Sequence, residues 1–244
     1  MGVRSPRYTA DMHDEHPIVS PQEWRRQREA LLHEEKALTQ QRDRLSERRR
    51  ALPWVRVEPG YVFDTTSGPK DLAALFGPHD QLAVYHFMLA PDWEAGCKSC
   101  SFWADNFDGI ATHLAHRDTA LVAVSRAPIA KLQAYAARMG WSFEWVSSAG
   151  STFNVDFGVS FTPEQLAAGE VDYNYGKRRT TSSELPGISV FARRGEQVFH
   201  TYSAYGRGIE VVNGAYAWLD LVPKGRDEAA GPMAWLRRRD EYEG

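Results

Sequence analysis

Cysteine is almost absent from this chain: its 244 residues contain two. That scarcity excludes a small secreted scaffold held together by several disulfides. Long apolar runs are missing as well, and no stretch approaches the ~20 residues that a membrane-crossing helix needs. Residues 1–14 are polar and mixed in charge, without the apolar segment of a secretory signal. Pro6 stands where a myristoylation pattern starting at Gly2 requires Ser or Thr. The expected location is therefore the cytoplasm. An excess of positive charge is lacking too, since the net charge is -3, which gives no general attraction to nucleic acid or to an anionic membrane. The basic clusters Arg48-Arg49-Arg50, Lys177-Arg178-Arg179 and Arg237-Arg238-Arg239 have acidic neighbours and read as solvated surface. Absent also are a Gly-rich phosphate loop, a Ser-His-Asp order, a paired-carboxylate signature and internal repeats; Gly206-Arg207-Gly208 is too weak a motif to count.

What is present is a body large enough to bury a core, with 43% hydrophobic residues, and a thiol pair. The pair forms the motif Cys97-Lys98-Ser99-Cys100 directly after an apolar run. Two cysteines placed at random in a chain of this size would meet at that spacing roughly one time in a hundred. In a reducing compartment a permanent disulfide is disfavoured, so the pair reads as catalytic, redox-cycled or metal-bound.

The order of elements is legible from pattern. After a loose arm over residues 1–16, Ser20, Pro21 and Glu23 form a capping box that opens a helix running to about Arg50, before Pro53. Its large apolar residues, Trp24, Leu31, Leu38 and Leu45, recur once per seven, while Arg28, Glu35 and Arg42 take the half-heptad places. Such a stripe is too narrow for a self-sufficient coiled coil and suits packing on the chain's own body or on a twin subunit, that is, a homodimer. Strands follow around Val55 and Val57 and at 61–63, then a short helix at 71–76 and a buried strand at 81–89. A helix is expected from the thiols to about His116, a second buried strand at 119–125, a helix from Pro128 to Met139 closed by Gly140, and a third strand at 142–147. Residues 162–184 read as an insertion or long loop, and 188–192 with 197–203 as a hairpin; a last helix fits within 208–221. The alternation predicts an α/β fold, with a helical arm over 1–52, a main domain over 53–226 and a tail over 227–244.

A helix that begins at or just after Cys97 would aim unpaired amides and the positive end of its dipole at that sulfur, making Cys97 the nucleophile and Cys100, one turn further in, the resolving thiol. Lys98 adds positive charge, and Asp92 and Glu94 add negative charge. Trp93, with Phe102 and Trp103, supplies an apolar surround; Trp93 is the candidate substrate platform, with core packing as the plainer role. The spacing Cys97, Cys100, His113, His116 imitates a zinc finger, but along one helix at about 1.5 Å per residue Cys100 and His113 stand roughly 20 Å apart. His113 and His116 thus read as helix-surface residues. A metal alternative, copper or zinc, joins Cys97 and Cys100 to His86, His200 or both. A peroxidase reading is weaker: peroxiredoxins place Thr or Ser three residues before the reactive cysteine, where this chain has Glu94.

Several blocks carry a family resemblance. They are Val84-Tyr85-His86-Phe87-Met88, Pro91-Asp92-Trp93 through Gly96-Cys97, Ser99-Cys100-Ser101-Phe102, Val124-Ser125-Arg126-Ala127-Pro128 and Arg138-Met139-Gly140-Trp141. Later come Phe199-His200-Thr201-Tyr202-Ser203, Leu219-Asp220 and Pro223-Lys224-Gly225-Arg226. From about His16 onward the chain resembles a bacterial family of unknown function, described as predicted dithiol-disulfide oxidoreductases of thioredoxin-like fold related to alkyl hydroperoxide reductases. The resemblance implies a central mixed sheet flanked by helices, with Cys97 as nucleophile and Cys100 as resolving thiol. It implies no cofactor, and protein or small-molecule thiols and disulfides as partners. By analogy with thioredoxin, Pro186 is the candidate for a cis-proline facing the thiols. Lys98 and Ser99 stand where thioredoxin has Gly and Pro, and residues between the thiols tune the redox potential.

Overall fold

A computed structural model describes residues 16–243; the arm expected over residues 1–16 lies almost wholly outside them. The chain divides into two compact units, one made of residues up to Pro53 with Ala217–Trp235, the other of Trp54–Tyr216 with Leu236–Gly244. In the smaller unit α1 (Pro21–Arg50) starts and stops where its signals place it. Ser20 Oγ accepts the Glu23 amide at 3.2 Å. The return half of the capping box is not made, because the Glu23 carboxylate instead takes Arg26 and Gln27, one turn on. Arg48, Arg49 and Arg50 fill the last turn, where cations suit the negative end of the helix dipole. Every residue of α1 is at least partly exposed.

In the larger unit β1 (Val55–Val57), β2 (Val62–Thr65) and β3 (Gly68–Asp71) lead into a 3₁₀ turn and β4 (Gln81–His86). Then come α2 (Lys98–Ala104), α3 (Phe107–Ala115), β5 (Thr119–Ser125), α4 (Ile129–Met139), β6 (Glu144–Ser147) and α5 (Phe153–Asp156). The remainder is α6 (Pro163–Ala167), β7 (Val171–Tyr173), β8 (Gly176–Arg178), β9 (Gly187–Arg194), β10 (Gln197–Tyr205) and, after a 3₁₀ turn at Gly206–Val212, the start of α7 (Gly214–Leu219), whose residues from Ala217 onward count with the smaller unit. Eight strands form one sheet in the order β1-β10-β9-β4-β5-β6-β2-β3, and β7 and β8 form a small sheet of their own. Strands β4, β5 and β6 are parallel, and β9 lies antiparallel on the other side of β4. A parallel trio completed by an antiparallel hairpin, with the thiol motif after the central strand, is a thioredoxin-like sheet.

Alternation along β4 sets the two faces. Leu82 and Val84 join Phe63, Val122, Val124, Val146, Phe153 and Phe191 in one core. Tyr85 turns to the other face, where its ring meets Phe107 at the start of α3. Phe87, just past the strand, has the same parity and stacks among Tyr135 of α4, Trp141 and Trp145. This second, aromatic layer lies beneath the thiols.

Several elements depart from expectation, each for a local reason. The single helix expected through His116 is broken into α2 and α3 at Asp105 and Asn106. Asn106 Nδ2 bonds back to the carbonyl of Phe102 at 3.3 Å, and Asp105 accepts the Trp141 indole at 2.9 Å; short polar side chains that engage backbone or neighbours compete with helix continuation. The helix expected at 71–76 is a strand end followed by a 3₁₀ turn, with Asp71 Oδ1 accepting the Ala74 amide at 2.7 Å. Strand β4 ends at His86 rather than at 89. Strand β6 begins at Glu144 rather than 142, since Ser142 instead donates its amide and hydroxyl to Asp108. Residues 162–184 are not one long loop but a capped helix and a hairpin, whose turn places Asn174 and Tyr175 at φ 54 and 60. Val171 and Tyr173 of that hairpin pack with Val159, Phe161, Leu185 and Tyr205. Within the tail over 227–244, Leu236 is buried, at 2% exposed.

Candidate active site

The thiol motif is held from the residue before it. A Cβ on Gly96 would meet the Tyr135 ring at 2.7 Å and the Phe87 ring at 2.8 Å, so only glycine fits there. The Cys97 amide donates to the Met88 carbonyl at 3.1 Å. Cys97 is the N-cap of α2, with φ -56 and ψ 129. The first helical turn closes on the Cys97 carbonyl, which accepts the Ser101 amide at 2.9 Å and the Ser101 hydroxyl at 2.9 Å. That hydroxyl also pairs with the Tyr135 hydroxyl at 2.9 Å. Both cysteines are free thiols; Cys97 is partly exposed and Cys100 is buried.

Their environments push the two sulfurs apart chemically. The Cys97 sulfur makes no capping hydrogen bond as a thiol. As a thiolate it is favoured first by the Cys100 S–H and then by the amides of Cys100 and Ser99 and the Ser99 hydroxyl; against the opposing effect of burial these bring its pKa from 9.0 down to about 6. Burial pushes Cys100 up, and the Cys97 charge beside it pushes the same way. The Met88 amide approaches the Cys100 sulfur at 3.4 Å. Beside it lies the Tyr85 hydroxyl, sealed from solvent and lacking a hydrogen bond of good geometry. Its phenol is held protonated first by burial and then by the neighbouring Cys100. The result is an outer sulfur that ionises near neutrality and an inner one that stays a thiol until something draws its proton.

A family model described as bacterial protein of unknown function (DUF899) matches residues 13–242. The chain belongs to that family. No curated protein matches it. Among solved structures, this DUF899 protein is similar to peroxiredoxin Q from Xanthomonas campestris, with 14% identity and a TM-score of 0.44 over 67% of this chain and 91% of that one. It is also similar to the peroxidoxin BcpB from Mycobacterium tuberculosis, with 16% identity and a TM-score of 0.40 over 62% and 86%. A third likeness is to the mitochondrial 2-Cys peroxiredoxin from Plasmodium falciparum, with 11% identity and a TM-score of 0.42 over 68% and 93%. At that distance no residue's role transfers, and the site of the DUF899 chain is read from its own atoms.

Those atoms separate the expected site residues. His86 follows Tyr85 on β4 and therefore points to the opposite face, where it is 1% exposed and its ring lies against Phe153 and Phe157. Its Nε2 bonds Ser189 Oγ at 2.9 Å, and its buried Nδ1 has no hydrogen-bond partner among the described residues. His200 Nε2 meets Ser203 Oγ at 2.7 Å, and the two serines join at 2.8 Å, so the histidines are linked to each other by a hydroxyl chain. Burial first, then His200, takes the His86 pKa down to about 3. The expected metal set of Cys97, Cys100, His86 and His200 does not come together: among the described residues no three or more His, Cys, Asp or Glu side chains converge as a cage. His113 and His116 sit in the last turn and at the C-cap of α3. Pro186 is trans, as is every described peptide bond, so the expected cis-proline is absent; its carbonyl accepts the Tyr173 hydroxyl at 2.6 Å. Trp93 is half-buried in the loop before the thiols, where Lys131 Nζ ties the carbonyls of Pro91 and Trp93 at 2.6 and 3.0 Å. A cavity of about 480 Å³ against α4 and β6, lined by residues such as Gln133, Trp141 and Trp145, includes neither cysteine. Gly96 and Ser101 stand in the resemblance blocks without a role, and nothing in the pattern points to Tyr135. Tyr85 stands in the resemblance block at 84–88 without a role of its own.

Proposed function

We propose that this protein is a thiol–disulfide oxidoreductase in which Cys97 attacks and Cys100 resolves. The observation that carries the reading is the asymmetry of the pair: a partly exposed sulfur whose pKa falls to about 6, beside a buried one whose pKa rises. The Cys97 thiolate attacks one sulfur of a disulfide in a protein or small-molecule partner. A mixed disulfide forms, and the other partner sulfur leaves as a thiolate. That charge is no longer on Cys97, so the proton of Cys100 is released more easily and passes to the leaving thiolate or to water. Cys100 then attacks the Cys97 sulfur, the Cys97–Cys100 disulfide forms and the second partner thiolate departs. Two electrons have moved from the dithiol to the partner. The Met88 amide and the Tyr85 hydroxyl are placed to stabilise the Cys100 thiolate in the second step. A peroxide would meet the same Cys97 but would find exposed Glu94 in place of an orienting hydroxyl.

The test is thiol alkylation against pH on the reduced protein, with mass spectrometry to locate the label. Cys97 is expected to react first, with a midpoint near 6, and Cys100→Ser is expected to accumulate a mixed disulfide with a model disulfide such as oxidised glutathione. A Cys97 that titrates like a free thiol and forms no disulfide under mild oxidant would sink the proposal.

A further inference from the structure

We infer that the end of the chain reaches the thiol site through Arg238, a positioning residue for Cys97; this rests on the oxidoreductase reading above. The Gly96 carbonyl and the Cys97 amide are the two polar ends of one planar peptide unit. The amide end is held by the Met88 carbonyl at 3.1 Å. The carbonyl end is held by Arg238, through Nε at 3.0 Å and a second guanidinium nitrogen at 2.8 Å. The Phe87 and Tyr135 rings crowd the side of Gly96 on which a Cβ would stand. The plane of the peptide that leads into Cys97 is therefore clamped at both ends, and that plane sets where the Cys97 sulfur stands relative to the donors on Ser99 and Cys100.

Arg238 is itself built in. Its remaining guanidinium nitrogen donates to Glu241 Oε1 at 2.8 Å, and Arg138 of α4 reaches the same oxygen at 3.0 Å. Arg138 also holds Asp240 through its Nε at 2.6 Å. Arg239 lies 3.6 Å from Asp105, at the break between α2 and α3, and buried Leu236 anchors the near end of the segment. The Arg138, Asp240, Glu241 and Arg238 chain ties α4 to the residue before the nucleophile. Two N–H groups of a rigid guanidinium converging on one carbonyl oxygen fix a direction that a lysine ammonium does not. The segment thus orients the nucleophile's backbone without touching the reacting sulfur.

The experiment is the pH profile of Cys97 alkylation in the full chain for Arg238→Ala, Arg238→Lys, Glu241→Gln and the control Arg237→Ala, with circular dichroism as the check on folding. Arg238→Ala is expected to move the midpoint up by about one unit, within the range over which local donors tune thiols, and so to slow alkylation roughly tenfold on the acid side. Arg238→Lys should recover only part of the shift, Glu241→Gln should give a smaller one, and Arg237→Ala should match the parent. A parent midpoint near 6 with an unmoved Arg238→Ala would overturn this inference and leave the oxidoreductase reading standing. An ordinary midpoint in the parent would instead defeat the reading on which it rests. Should Arg238→Ala not fold, Arg238→Lys and Glu241→Gln carry the same comparison, and unmoved midpoints in both would overturn the inference.

Discussion

At the scale of single residues, Tyr85 separates stability from chemistry. A buried hydroxyl without a good partner carries a desolvation cost of about 1–3 kcal/mol, and the Tyr85 hydroxyl is such a group, standing beside Cys100. Tyr85→Phe is therefore expected to leave the unfolding free energy unchanged or to raise it by about 1 kcal/mol. The same change should slow closure of the Cys97–Cys100 disulfide several-fold, since the emerging Cys100 thiolate loses a donor. Denaturant unfolding and quenched-flow trapping of the mixed disulfide measure the two effects. Equal closure rates in parent and variant would show that the phenol has no part in resolution. The cysteines themselves were legible in the sequence because a rare residue pair at one-turn spacing is a local signal. Tyr85 and Arg238 were not, because their roles depend on parity across a sheet and on contact between residues 142 positions apart.

At the scale of elements, the segment 162–184 shows what composition hides. Its polar residues read as an insertion or long loop, and within it a capping box on Thr162 and Gln165 opens α6, while Tyr173 bonds the Pro186 carbonyl from β7. The segment is also stitched to the central sheet by a buried carboxylate: Glu184, 2% exposed, accepts Arg126 and the Ser160 hydroxyl. Burial raises the Glu184 pKa, while Ser160 and Arg126 oppose the rise. Removing one partner of such a pair leaves the other charge uncompensated, at a cost of about 3–5 kcal/mol. Arg126→Ala is expected near that range, reduced because Arg126 remains 27% exposed, and the double variant Arg126→Ala, Glu184→Gln should recover part of the loss. Equal stability of the single variant and the parent in urea unfolding would refute the account. The parallel strands and α4 were legible because apolar periodicity, Pro128 and Gly140 are local; the break at Asp105 was not, because Trp141 and Arg239 reach it from distant segments.

At the scale of the whole molecule, the open question is what covers α1. Trp24, Leu31, Leu38 and Leu45 are 61%, 50%, 54% and 42% exposed, and they recur at intervals of seven, so they fall on one stripe of the helix. Caps contribute typically ~1 kcal/mol, and exposed ion pairs such as Arg28 with Glu35 ~1 kcal/mol or less. A stripe with the same interval throughout is complementary to itself when two helices run antiparallel, and we propose a second copy of this chain as its partner. The expected outcome is a dimer in light scattering at tens of micromolar, converted to monomer by Leu31→Glu with Leu38→Glu. Cys97 alkylation should be the same in both forms, because the thiol site is built from residues of the other compact unit. A full-length chain that stays monomeric at that concentration, or a double variant that stays dimeric, would remove α1 from the assembly. A dimer that lost thiol reactivity on dissociation would show instead that the two units are coupled in function.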